Sequence, residues 1–175
     1  MTKKYYMVLD DYQDHATALG LMLGHWGELE THLMRMTEYL FKVPHDNVNH
    51  FKTDFLYKEF FNIRSKIKLL KRLNNFFVHD ENLKDKIKEL LSNTEKLNDE
   101  RNRYVHARWI SKAGYGETSN QLSRISLGPP NNINDLYKPM EDITSQDIND
   151  FSAKIVELSL SFQELLDLIL PDTTI

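Results

Sequence analysis

Leu19, Met22, Trp26, Leu29, Leu33, Met36 and Leu40 follow one another at steps of three and four residues, a spacing that draws one apolar stripe down an α-helix. Ile148, Phe151, Ile155, Leu158, Phe162, Leu165 and Ile169 repeat the pattern later in the chain. A helix with a single apolar stripe must bury it against another element, so two stripes of this length commit the chain to helix-on-helix packing. Between them, Leu56, Phe60, Ile63, Ile67 and Leu70 predict a helix from about Phe51 to Phe77. Leu83, Ile87, Leu90, Leu91, Leu97, Tyr104 and Val105 predict another, from Asn82 or Leu83 to Arg108 or Trp109. Pro44 and Pro171 end the first and last helices. Thr144 is the expected N-cap of the last one, with Asp147 as its acidic first-turn partner. The expected fold class is all-α: an up-and-down bundle of four long helices in a single domain spanning residues 1–175.

Two features interrupt this regularity. Gly20, Gly24 and Gly27 form a second stripe on the first helix, at a cost of roughly 1 kcal/mol each relative to alanine. Close approach of another helix would compensate for them; tolerated local weakness is the alternative. Residues 110–143 hold Gly114, Gly116 and Gly128 together with Pro129, Pro130 and Pro139. Within and beside this stretch, "ARWISKA" and "QLSRISL" read as the two strands of a β-hairpin, with a third short strand at "LYKPMED". The hairpin is an excursion between the third and last helices.

Of the 175 residues, 41% are hydrophobic and 27% charged, as in soluble globular proteins. No run approaches the eighteen or so apolar residues of a membrane span, and "MTKKYYMVLDDYQD" lacks the apolar core of a signal peptide. There is no cysteine, which excludes disulfides and thiolate metal sites and makes a reducing cytoplasm the simplest location. The net charge of −4 means that an anionic partner has to be held by a local patch rather than by the average field. The densest patch is Arg64, Lys66, Lys68, Lys71 and Arg72 on the outer face of the second helix; it suits a polyanion, or is simply a solvated face. Glu28 and His32 lie one turn apart, but no Glu-x-x-His pair, His-Glu-x-x-His or glycine-rich phosphate loop occurs. No metal or other cofactor is expected.

The chemistry concentrates in "LNDERNRYVHARW", Leu97 to Trp109. Arg101 falls where the apolar stripe Leu90, Thr94, Leu97 would call for another leucine, a broken local rule of the kind that marks function or a specific buried pair. Arginine offers a planar fork of donors to a phosphate, and histidine exchanges a proton near neutral pH. Metal-free RNA cleavage needs both: a base for the ribose 2′-hydroxyl and a cation for the phosphorane. Asn98, Asn102 and His106 share one polar stripe at steps of four. Arg101 lies about 140° round the axis from His106, at roughly 100° per residue. The pair therefore converges better between two antiparallel copies of the helix than within one, which predicts a homodimer.

"RNRYVH" resembles the signature of the HEPN domains, and "RNRYVHARW" looks like their RNxxxHGxW variant with Ala107 in place of glycine. "HWGELETHL", residues 25–33, looks like the WGxLExxL stretch that accompanies it. A second arginine–histidine pair, Arg72 with His79, has no such context. The resemblance covers the first three helices, and the last helix and hairpin match in general plan. It implies a helical-bundle, metal-independent endoribonuclease acting in toxin–antitoxin or phage defence, with RNA as substrate and an antitoxin protein as a further partner. Arg101 would stabilise the phosphate, His106 transfer the proton and Asn102 position either. Glu30 either pairs with and orients Arg101 or is a surface carboxylate, and Asn98 would support the stripe; Arg64, Lys68, Lys71 and Arg72 would bind RNA. The subgroup paired with nucleotidyltransferase antitoxins has a tyrosine where this chain has Arg108, so its regulation by nucleotidylation is not implied. The alternative is a non-catalytic helical module that dimerises or binds a ligand or RNA through the same residues.

Overall fold

The computed structural model describes residues 9, 12–41, 62–111, 122–126 and 141–170. Among these residues four helices follow in order: α1 (Gln13–Phe41), α2 (Ile63–Phe77), α3 (Glu81–Val105) and α4 (Ser145–Ile169). Between α3 and α4 lie β1 (Ala107–Ser111), β2 (Leu122–Ser126) and β3 (Glu141–Ile143). The fold is a helical bundle with a small β excursion at the expected place. Close contacts divide the chain into two compact units, Met1–Gly24 with Glu100–Lys154, and His25–Asp99 with Ile155–Ile175.

The described residues of the second unit form an apolar core drawn from parts of α1, α2, α3 and α4. Leu29, Leu33 and Met36 of α1, Ile67 and Leu70 of α2, Ile87 and Leu91 of α3, and Ile155, Phe162 and Leu165 of α4 are buried in it. Each such side chain contributes roughly 1.5–3 kcal/mol of burial energy. Polar residues inside it back-bond to their own helix: Thr37 and Thr94 donate to the carbonyls of Leu33 and Leu90 at 2.8 and 2.9 Å. Arg64 meets Asp99, Lys71 meets Glu95, and the Asn74 side chain donates to the Lys84 carbonyl. One number rises as the other falls, so α2 and α3 run antiparallel.

In the first unit α3 and α4 are antiparallel by the same test. Glu100 lies 4.0 Å from Lys154, and the Tyr104 ring stacks on Phe151 at 5.1 Å. The sheet has the order β1-β2-β3, antiparallel throughout. Leu122 and Ile143 stand opposite each other and are both buried, a cross-strand apolar pair that faces the sheet inward. The buried His15 of α1 donates from Nε2 to the Ile143 carbonyl at 3.0 Å, and the Tyr12 ring meets its imidazole edge-on.

Helix starts obey local chemistry. Asn62 and Asp80 accept from the backbone N–H of Ser65 and Leu83 at 2.8 and 3.0 Å, as N-caps do. At α4, Thr144 N and Oγ1 donate to Asp147 Oδ2, and Asp147 N donates to Thr144 Oγ1. That reciprocal arrangement is a capping box with aspartate at its third position, on the two residues the sequence indicates.

Three expectations change, and one open alternative is settled. α2 starts at Ile63 rather than in a helix running unbroken from Phe51, because Asn62 has extended backbone (φ −133°, ψ 147°) and caps it. α3 stops at Val105, short of Arg108 or Trp109: from Ala107 onward the chain pairs with β2, and the β-compatible run wins over the helical period. Gly20, Gly24 and Gly27 have open space where a side chain would stand; among the described residues no neighbouring helix uses the glycine face, and local weakness is its reading. The third strand is Glu141–Ile143, at the end of the stretch expected at 136–142. Pro44, Leu56, Phe60, Pro171 and residues 136–140 lie outside the described residues.

Candidate functional site

The last turn of α3 carries the arginine–histidine pair. Leu90 and Thr94 are buried, Leu97 and Arg101 half-buried, so the stripe on which Arg101 sits rises toward the surface as the helix ends. Tyr104, on another side of the helix, is buried against Phe151 and anchors this turn. Arg103 is exposed and forms an ion pair with Glu141 of β3. Helix end and sheet are thus held together within one unit.

On that frame Asn102 touches both partners. Its side-chain Oδ1 accepts from Arg101 Nη1 at 3.1 Å. Its backbone carbonyl accepts from the His106 N–H at 3.0 Å. His106 is the exposed turn residue between Val105 and β1, fixed on one side by this helical bond and on the other by the pairing of Ala107 with Ser126. An imidazole open to water and a guanidinium braced by a neutral amide are thereby presented within six residues. Asn98, one turn earlier on the polar stripe, is buried.

Glu30 has a different task from the one expected. Its Oε1 accepts from the buried Trp26 indole at 2.9 Å and its Oε2 from Lys66 at 3.3 Å. Both oxygens have partners inside the second unit, while within the first unit Arg101 donates to Asn102. The anticipated basic face of α2 is also reshaped. Arg64 pairs with Asp99 and Lys71 with Glu95, both at 2.7 Å; hydrogen bonding to Asp99 raises the Arg64 pKa further. Lys68 and Arg72 are exposed and enter no ion pair among the described residues. The partner roles of Lys66 and Glu141 escape a sequence reading, since nothing local joins residues 36 or 38 apart.

His32, one turn from Glu28, is half-buried, and its Nδ1 is sealed off without a hydrogen-bond partner among the described residues. Burial lowers its pKa, the nearby Arg35 adds to the lowering, and Glu28 and Asp167 act in the opposite sense. Among the described residues no group of three histidine, aspartate or glutamate side chains could hold a metal ion, and no helix is long and apolar enough to cross a membrane. Comparison with known protein families, curated proteins and solved structures finds no match.

Proposed function

We propose that this protein is an endoribonuclease of the HEPN type that cuts RNA by attack of the ribose 2′-hydroxyl, each site being composed from two protomers. The observation that carries the reading is the double contact of Asn102, to the Arg101 guanidinium through its side chain and to the His106 backbone through its carbonyl. His106 takes the 2′-hydroxyl proton, O2′ attacks phosphorus, and the bond from phosphorus to the 5′-oxygen breaks. The leaving oxygen takes a proton back from the imidazolium so formed, and the product carries a 2′,3′-cyclic phosphate. Arg101 holds the phosphorane, where donors fixed in advance are worth most. On this reading the protein works in the cytoplasm as a toxin or phage-defence effector, restrained by an antitoxin protein.

The test is incubation of purified protein with mixed RNA in the presence of EDTA. Cleavage to cyclic-phosphate ends is expected from the wild type and none from His106→Ala. The variant's melting temperature should match the wild type, because the side chain it removes is exposed. Cleavage that survives in His106→Ala, or RNA left intact by the wild type, overturns the proposal.

A further inference from the structure

Helix α2 contains five basic residues and no acidic one, yet its charges are not equivalent. Lys66 points to Glu30, Arg64 to Asp99 and Lys71 to Glu95. Three of the five positive charges are therefore matched by carboxylates, and Lys68 and Arg72 stay uncompensated among the described residues. These two are one helical turn apart, and one further turn along the same side stands Phe76, which is 76% exposed. At about 1.5 Å rise per residue, successive members of the stripe are about 6 Å apart along the axis. A phenylalanine this open gains nothing from burial in its own chain.

We infer that Lys68, Arg72 and Phe76 form a single-stranded RNA-binding stripe, with the two cations on successive phosphates and the Phe76 ring as a stacking platform for a base. This inference shares with the proposed function the premise that RNA is the ligand, but it does not depend on cleavage. Charge complementarity selects a polyanion, since the charges of the helix that no carboxylate matches among the described residues, Lys68 and Arg72, are both positive. The adjacent aromatic face selects an unpaired base, because in a duplex the base faces are already stacked. Single-strand binders combine these same two elements, a cationic track and an aromatic platform. Arg64 and Lys71 are excluded from the contact because Asp99 and Glu95 already occupy them.

The probe is a fluorescein-labelled 2′-O-methyl oligouridine, which lacks the attacking hydroxyl and stays intact. Binding to the full-length chain is followed by fluorescence polarisation across a range of salt concentrations. Lys68→Gln with Arg72→Gln should weaken binding about tenfold and reduce the salt slope by about 1.4, at roughly 0.7 per single-strand phosphate contact. Phe76→Ala should weaken it about 5- to 150-fold with the slope unchanged, as expected for a lost stacking contact. Arg64→Gln with Lys71→Gln should leave the slope as it is. All substituted side chains are exposed or at the surface, and unchanged circular dichroism melts establish that the variants fold.

The inference is overturned by wild-type protein that does not bind the probe, by an unchanged slope in the Lys68/Arg72 variant, or by a reduced slope in the Arg64/Lys71 variant. It is also overturned if the Lys68/Arg72 change abolishes binding to phosphatidylserine vesicles and leaves RNA binding intact, since the stripe would then serve a lipid surface. Binding through the stripe without cleavage of natural RNA removes the nuclease and keeps the stripe. Cleavage that ignores the stripe substitutions, with probe binding equally indifferent, does the reverse.

Discussion

Replacing Asn102 by alanine removes one charge-assisted hydrogen bond from Arg101 and leaves the backbone bond to His106 in place. Such a bond to a charged group is worth about 1.5–3 kcal/mol, so the proposed cleavage should slow about 12- to 160-fold in single-turnover assays, less than the complete loss expected in His106→Ala. An Asn102→Ala protein as inactive as His106→Ala would show that the amide does more than brace the arginine. His32 permits a second prediction. Its pKa is lowered in the folded protein by burial and by Arg35, so the unfolded chain binds the extra proton first. Stability is complete above the ordinary imidazole value of about 6.5 and declines as pH falls below it. Urea unfolding at a series of pH values should show that decline, and His32→Gln should flatten it.

At the scale of elements, the α4 start and the α1 glycines make opposite predictions. Thr144→Ala breaks the capping box and should cost about 1 kcal/mol, read as a lowered unfolding midpoint. Hydrogen bonds from Thr144 hold the Asp147 carboxyl below the usual carboxylate range; the group's stabilisation is present above that range and is lost as pH falls through the lowered value. With Asp147 exposed, the effect is small. Gly20→Ala and Gly24→Ala meet open space and should each stabilise by about 0.4–1 kcal/mol, since they relieve a helical entropy cost without a clash. A destabilised Gly24→Ala would mean that something approaches this face in solution. The cap at Thr144 and Asp147 was legible in the sequence because all its atoms lie within four residues. The break at Asn62 was not, because the apolar period through Leu56, Phe60 and Ile63 continues across it and a period carries no sign of a cap.

For the whole molecule, a composite site has a consequence that a site within one protomer lacks. Arg101→Ala and His106→Ala proteins are each expected to be inactive. When they are mixed under subunit exchange, half of the dimers regain one intact site of two, or about a quarter of wild-type activity for a two-fold dimer. No recovery on mixing, with exchange verified by a labelled subunit, would place both groups of each site in the same protomer. The apolar stripes, the hairpin strands, the cap of α4 and the motif from Arg101 to His106 were all determined by the sequence alone, because helical period, strand propensity and capping act between residues near in the chain. The tertiary structure alone decided that Glu30 meets Lys66, that Arg64 and Lys71 pair with carboxylates of α3, and that Arg103 reaches Glu141. Which carboxylate a given cation meets depends on how helices and strands lie against one another, and that is set by the burial of apolar faces, to which the charged residues on the outside then adapt.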